Sequence, residues 1–216
     1  MEQFKNVISG KTTVYFGGKA YNGAGVSYEL FNQKVEEIAS KLGFPAQWLY
    51  APMYVETAGT FSPSVKNPNS SATGLIQFME ATAKSLGTTT AQLAKMNGVE
   101  QLNYVYKYFV PYKNLIHSAY DVYCAIFRPA WLKDKTKSID APSLAYQSNK
   151  ALDVDKDGKI TYENFMSWID KRSPAVVAIF QDSTLKKKAN PLIPLMFAIA
   201  LAGVIYYKDD LMKNFK

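Results

Sequence analysis

Short apolar patterns at helical spacing, each closed by a glycine or proline, constrain this chain more than any other feature. Phe31, Val35, Ile38 and Leu42 recur three or four residues apart. Ser27 is placed to cap their start and Gly43 to end them, which predicts a helix from Glu29 onward. Pro45 opens a second helix carrying Trp48, Leu49, Met53 and Val55 towards Glu56, with Pro52 expected to bend it. Further helices are expected over 72–86, 90–96, 99–109 and 119–127, with Gly87, Gly98, Pro111 and Pro129 as stops. Strand-like alternation is nearly absent, so the expected class is mainly α. The segment 1–28 is rich in Gly, Tyr and small polar residues and lacks helical periodicity, so it reads as an extended or poorly ordered arm.

At 216 residues the chain has room for one medium domain plus appendages. The net charge of +7 favours contact with anionic surfaces such as nucleic acid, acidic lipid or cell wall. Basic residues are nevertheless dispersed, and Lys186, Lys187 and Lys188 form the one run, which argues against a nucleic-acid stripe. Cys124 is the single cysteine, so no intrachain disulfide is possible; it lies in an apolar run and reads as a core thiol. His117 is the single histidine, which excludes a histidine-rich metal site and leaves at most one chance member for a Ser-His-Asp triad; it reads as a surface residue. Residues 1–10 contain no apolar run of signal-peptide length.

The C-terminal part differs in composition. After the triple lysine, residues 191–207 carry no charge. As a helix, 192–207 would span about 24 Å, against roughly 30 Å of bilayer hydrocarbon, with lysines and Tyr206-Tyr207 placed to bridge the shortfall. The expected organisation is an arm over 1–28, a folded domain over 29–172, a basic linker over 173–190, a membrane-anchoring helix over 191–207 and a polar tail over 208–216. A buried helix is the alternative for 191–207.

The chemistry concentrates between Tyr54 and Ala83. One carboxylate, Glu56, ends an apolar helix. A Ser/Asn/Pro loop follows, then the expected start of another helix, with Gln77 able to donate and accept hydrogen bonds beside the same cleft. Apolar surroundings raise a carboxyl pKa and equip it to donate a proton near neutrality.

At these residues the sequence resembles the lytic transglycosylase and goose-type lysozyme superfamily, and most of all its phage and prophage branch. The likeness runs through Glu56-Thr57, Phe61-Ser62-Pro63, Gly74-Leu75-Ile76-Gln77 and Thr82-Ala83. It continues through Leu86-Gly87-Thr88, Val99-Glu100-Gln101-Leu102, Tyr108-Phe109, Pro111-Tyr112 and Asp121-Val122-Tyr123, covering about 48–165. The resemblance implies a lysozyme-like fold and cleavage of the β-1,4 bond between N-acetylmuramic acid and N-acetylglucosamine in peptidoglycan. In that scheme Glu56 acts alone, first as acid and then as base. Its base step takes a proton from the sugar's own 6-hydroxyl in a transglycosylase and from water in a hydrolase. Gln77 resembles the family's substrate-contacting glutamine, and Tyr146, within Leu144-Ala145-Tyr146-Gln147, the tyrosine that faces the acid. Asn67 and Tyr123 are further candidates for the groove wall.

This sequence departs from the family in three places. Two extra residues stand between Glu56 and Pro63, Glu80 replaces a usual proline, and Gln147-Ser148-Asn149 replaces Asn-Ala-Gly. Asp121, Asp134 and Asp140 are open as a second carboxylate for hydrolysis. No catalytic cofactor is implied. The expected partner is the peptidoglycan glycan strand, joined by membrane lipid through the 191–207 helix and by other virion proteins. With no signal peptide, the expected location is a membrane-anchored place in a phage virion, the bacterial membrane being the alternative. The rival function is a non-catalytic glycan-binding or structural virion protein that retains the fold.

A second motif, Asp153 to Thr161, follows the first nine positions of an EF-hand loop. Oxygens of Asp153, Asp155 and Asp157, the Lys159 carbonyl and the side chain of Asn164 are the expected ligands of a structural Ca²⁺, with Gly158 at the sharp turn. Asn164 stands where a bidentate Glu is usual, which weakens the site. Its expected task is to brace the loop after Tyr146.

Overall fold

The structure, a computed structural model, describes residues 5–8, 11–16 and 19–171, those before 21 by their backbone strands alone. In chain order these are β1 (Lys5–Ile8), β2 (Lys11–Phe16), β3 (Lys19–Ala20), α1 (Tyr28–Leu42), α2 (Ala46–Glu56), α3 (Glu80–Ser85), α4 (Thr90–Leu93), α5 (Gly98–Phe109), α6 (Ala119–Phe127), β4 (Ile139–Asp140), α7 (Leu144–Asn149), β5 (Lys159–Ile160) and α8 (Tyr162–Asp170). The described chain is mainly helical, as expected.

The centre is α2. It packs against α1 on one side and α6 on another, while α1 also packs on α5. Trp48, Leu49, Tyr50, Ala51, Pro52, Met53, Tyr54 and Glu56 are all buried, so α2 has no solvent face of its own. A helix apolar nearly all round belongs inside a bundle, and here the amphipathic helices α1 and α5 supply the cover. Phe31, Val35, Ile38 and Leu42 face inward from α1, and Leu102, Val105 and Phe109 from α5. The caps of α1 fall where the sequence puts them, whereas Gly98, expected as a stop, is the first residue of α5. The Ser27 side chain accepts from the Leu30 N–H, and Gly43 closes α1 at φ 82°. Asn97 and Glu100 form a reciprocal capping box at the start of α5.

Two expectations of local structure change. The helix expected over 72–86 is present only as α3. Gly74 and Gln77 have φ of 83° and 50°, a left-handed backbone that no right-handed helix accommodates. Thr73 pairs instead with Lys66 and Phe78 across isolated bridges. The segment read as an arm holds a three-stranded antiparallel sheet, ordered β1-β2-β3. Its registers, Ile8 opposite Lys11 and Phe16 opposite Lys19, leave two residues for each connection. Gly17-Gly18 between runs containing Thr, Val, Tyr and Phe is a hairpin signal of that length.

The membrane-anchored location is corrected. Among the described residues no helix is long and apolar enough to cross a membrane. The longest, α1, has 15 residues, about 22 Å at 1.5 Å per residue, and is amphipathic. The helix expected over 191–207, with its linker and tail, lies outside the described residues, so neither the anchor nor membrane lipid as a partner has support.

Candidate active site

Glu56 is the last residue of α2 and is 6% exposed. Immediately after it the backbone turns through left-handed conformations at Ala58 (φ 57°), Gly59 (φ 78°) and Phe61 (φ 53°). Thr57, wholly buried, holds this turn together. Its hydroxyl donates to the Met53 carbonyl at 2.7 Å and accepts from the Phe61 N–H at 2.9 Å. The Phe61 ring is thereby seated among Phe31, Tyr50 and Tyr54, with centroid separations of 5.8 to 6.1 Å. Left-handed backbone at non-glycine residues costs energy and persists where the surroundings enforce it, commonly near functional groups.

Gln77 lies on a second turn. Its side chain is 4% exposed, and its Nε2 donates to the carbonyls of Val65 at 3.2 Å and Gly74 at 3.0 Å. The neighbouring Phe78 ring meets Tyr108 edge-on at 6.2 Å. Burial drives the Tyr108 phenol well above its ordinary pKa, and Tyr112 and then the charge of Glu56 add to the rise. The Tyr108 hydroxyl donates to the Ala125 carbonyl of α6 at 2.6 Å.

The other candidates are distributed differently. Asn67 is half-buried in the loop between Glu56 and Gln77; its Oδ1 accepts from the Asn69 N–H at 2.8 Å. Tyr123 has no exposed surface, and its ring packs against Phe165 at 5.2 Å. Tyr146 is 5% exposed, and its hydroxyl donates to Asp153 Oδ2 at 2.6 Å. That bond is the main cause of a raised Tyr146 phenol and a lowered Asp153 carboxyl. Tyr146 is thus tied to the acidic loop. Of the open second carboxylates, Asp121 is buried and accepts from the His117 N–H at 2.9 Å, with Lys135 Nζ 3.3 Å away. Asp134 and Asp140 accept local hydroxyls from Thr136 and Ser138. All three are engaged in turns or caps.

The acidic loop lies between α7 and α8. One oxygen from each of Asp153, Asp155 and Asp157 falls within 4.8 Å of the others, which fits a hard cation in donor type and spacing. Asn164 is employed differently. Its Oδ1 accepts from the Thr161 N–H at 2.9 Å, completing the capping box that starts α8. The Asp153 carboxylate also accepts the Asp157 and Gly158 N–H groups, so the loop closes on itself.

One further side chain, Gln101, was not singled out from the sequence, yet it hydrogen-bonds three separate segments. Gln101 has no exposed surface. Its Oε1 accepts from the Leu75 N–H at 2.6 Å, and its Nε2 donates to the carbonyls of Pro63 and Leu93, each at 2.9 Å. The available signal was positional: Gln101 interrupts the inward stripe Gly98, Leu102, Val105 and Phe109, and a polar residue on a core stripe needs buried partners.

Neither a protein-family model nor a curated protein sequence matches this chain.

Proposed function

We propose that this chain is a peptidoglycan-degrading lytic enzyme of the transglycosylase type, of the kind carried by phage particles, cleaving the β-1,4 bond between N-acetylmuramic acid and N-acetylglucosamine. The observation that supports this is Glu56, a carboxyl closing a buried apolar helix at 6% exposure and followed by a left-handed turn. Burial disfavours the charged carboxylate, and a protonated carboxyl is what a glycosidic leaving oxygen requires.

In this reading Glu56 gives its proton to the bridging oxygen as the bond to the muramic acid carbon breaks. The carboxylate so formed then takes a proton from the 6-hydroxyl of the same sugar, whose oxygen closes the 1,6-anhydro ring. If water supplies the oxygen, the product is an ordinary reducing end. Gln77 and Asn67 would contact the glycan, and Tyr146 would border the site from α7. A structural Ca²⁺ held by Asp153, Asp155, Asp157 and the Lys159 carbonyl would stiffen the segment after Tyr146.

Mass spectrometry of digested peptidoglycan tests the reaction: anhydro ends are expected, and reducing ends would make the enzyme a hydrolase. Glu56→Gln should cut the rate of fragment release by about 10²- to 10⁴-fold while leaving the melting temperature unreduced. One observation favours the rival, a non-catalytic glycan-binding or structural protein: the Gln77 amide nitrogen is engaged by two backbone carbonyls. Fragment release by the wild type at the rate of the Glu56→Gln variant would decide for that rival.

A further inference from the structure

We infer that Gln101 is the positioning residue of the site, fixing Gln77 relative to Glu56 by clamping the two ends of the loop between them. The inference rests on the reading of Glu56 and Gln77 given above, but its structural half stands apart from it.

The clamp spans three segments. Pro63 lies seven positions after Glu56, Leu75 lies two before Gln77, and Leu93 ends α4. One carboxamide binds all three, as acceptor to Leu75 and as donor to Pro63 and Leu93. Leu75 has no exposed surface, so without this amide its N–H would be buried with no water to replace the bond, whereas the Leu93 carbonyl would keep the Met96 N–H. The pattern also fixes the orientation of the amide. Turned over, its NH₂ would face the Leu75 N–H and its oxygen would face two carbonyls.

The loop lies flat on this amide. A Cβ added at Gly74 would fall 2.2 Å from Gln101 Oε1, and Gly74 has φ 83° besides. Gly74 in turn accepts, through its carbonyl, the Gln77 N–H at 3.1 Å and the Gln77 Nε2 at 3.0 Å. Contact is therefore continuous from Gln101 through the Gly74-Leu75 backbone to both ends of Gln77. No other described side chain hydrogen-bonds to both Pro63 and Leu75.

The test uses the whole chain and three variants, Gln101→Met, Gly74→Ala and Gln77→Ala. Amide hydrogen exchange reads the clamp without reference to catalysis. At least tenfold faster exchange at Leu75 and Gln77 is expected in Gln101→Met and in Gly74→Ala, with the α1 and α2 amides unchanged. Unchanged exchange at those two amides, or a rise spread over α1 and α2 as well, overturns the clamp. Turnover on peptidoglycan then reads positioning. Gln101→Met is expected to lower kcat at least tenfold with little change in KM, and to add no further loss in the Gln77→Ala background. A loss that multiplies with that of Gln77→Ala, or full turnover despite a loosened loop, overturns the positioning role. A wild type that releases no fragments defeats both the enzyme reading and the positioning role, while the exchange result still decides the clamp.

Discussion

Glu56 is followed by backbone that few residues adopt willingly. Ala58 and Phe61 sit at positive φ without being glycine, and Gly59 between them sits at φ 78° with no space for a side chain. A Cβ there would come within 2.7 Å of the Tyr54 ring. Gly59→Ala should therefore lower unfolding free energy by about 1–3 kcal/mol, measured by urea denaturation, and should slow fragment release by displacing the turn beside the acid. Full stability in this variant would mean that the turn relaxes easily and does not constrain Glu56. Glu56 was singled out by its place in a run of motifs that resembles a known family, since a lone carboxyl near a helix end is more often a cap or a surface residue. Gln77 was singled out in the same way, but not its conformation. Gly74 and Gln77, both at positive φ, belong to a turn that rests on Gln101, 24 residues further on from Gln77, and residue spacing carries no record of such a contact.

At the level of elements, the longer helices α1, α2, α5 and α6 were readable nearly to the residue, α2 from its opening proline and apolar run and the others from apolar spacing and their stops. The exception, 72–79, has a helix-compatible composition overridden by tertiary hydrogen bonds. The short helices α3 and α4 depend on a side chain that looked like a mere departure from the family pattern. Glu80 Oε2 accepts from the Thr90 N–H at 3.0 Å and from the Thr90 hydroxyl at 2.6 Å, fastening the first turn of α3 to the first turn of α4. The Thr90 hydroxyl and N–H hold the Glu80 carboxyl below its ordinary value of 4.5. A lowered carboxyl pKa contributes stability above the unfolded value, and that contribution is lost as pH falls through the folded value. The wild type is therefore expected to lose melting temperature from about pH 4.5 downward more steeply than Glu80→Gln. Parallel pH profiles for the two proteins would remove the clasp as a stabilising interaction.

At the scale of the whole molecule, the acidic loop is where, among the described residues, three carboxylates could make stability answer to a dissolved cation. If Asp153, Asp155 and Asp157 bind Ca²⁺, the folded state gains about 2.7 kcal/mol at a hundred times the dissociation constant. The expected outcome is a melting temperature that rises with added Ca²⁺ in the wild type and not in Asp155→Ala; a flat wild-type response would leave the loop a metal-free turn. The EF-hand spacing was evident in the sequence, whereas the diversion of Asn164 into the α8 cap follows from Thr161 three residues earlier, a capping pair whose partner is visible only once the helix start is known.

The segment ahead of α1 is joined to the body by the Tyr21 ring, packed on Tyr28 and Phe31, and by two backbone hydrogen bonds. The Asn22 N–H donates to the Thr60 carbonyl at 2.8 Å, and the Gly98 N–H donates to the Gly23 carbonyl at 3.0 Å. Anyone shortening this protein for expression or crystallisation should accordingly cut ahead of Tyr21. A start at Glu29, attractive on periodicity alone, would strip a hydrogen-bond donor from the Thr60 carbonyl in the turn after Glu56 and an acceptor from the first residue of α5, leaving two backbone groups of the body to seek other company.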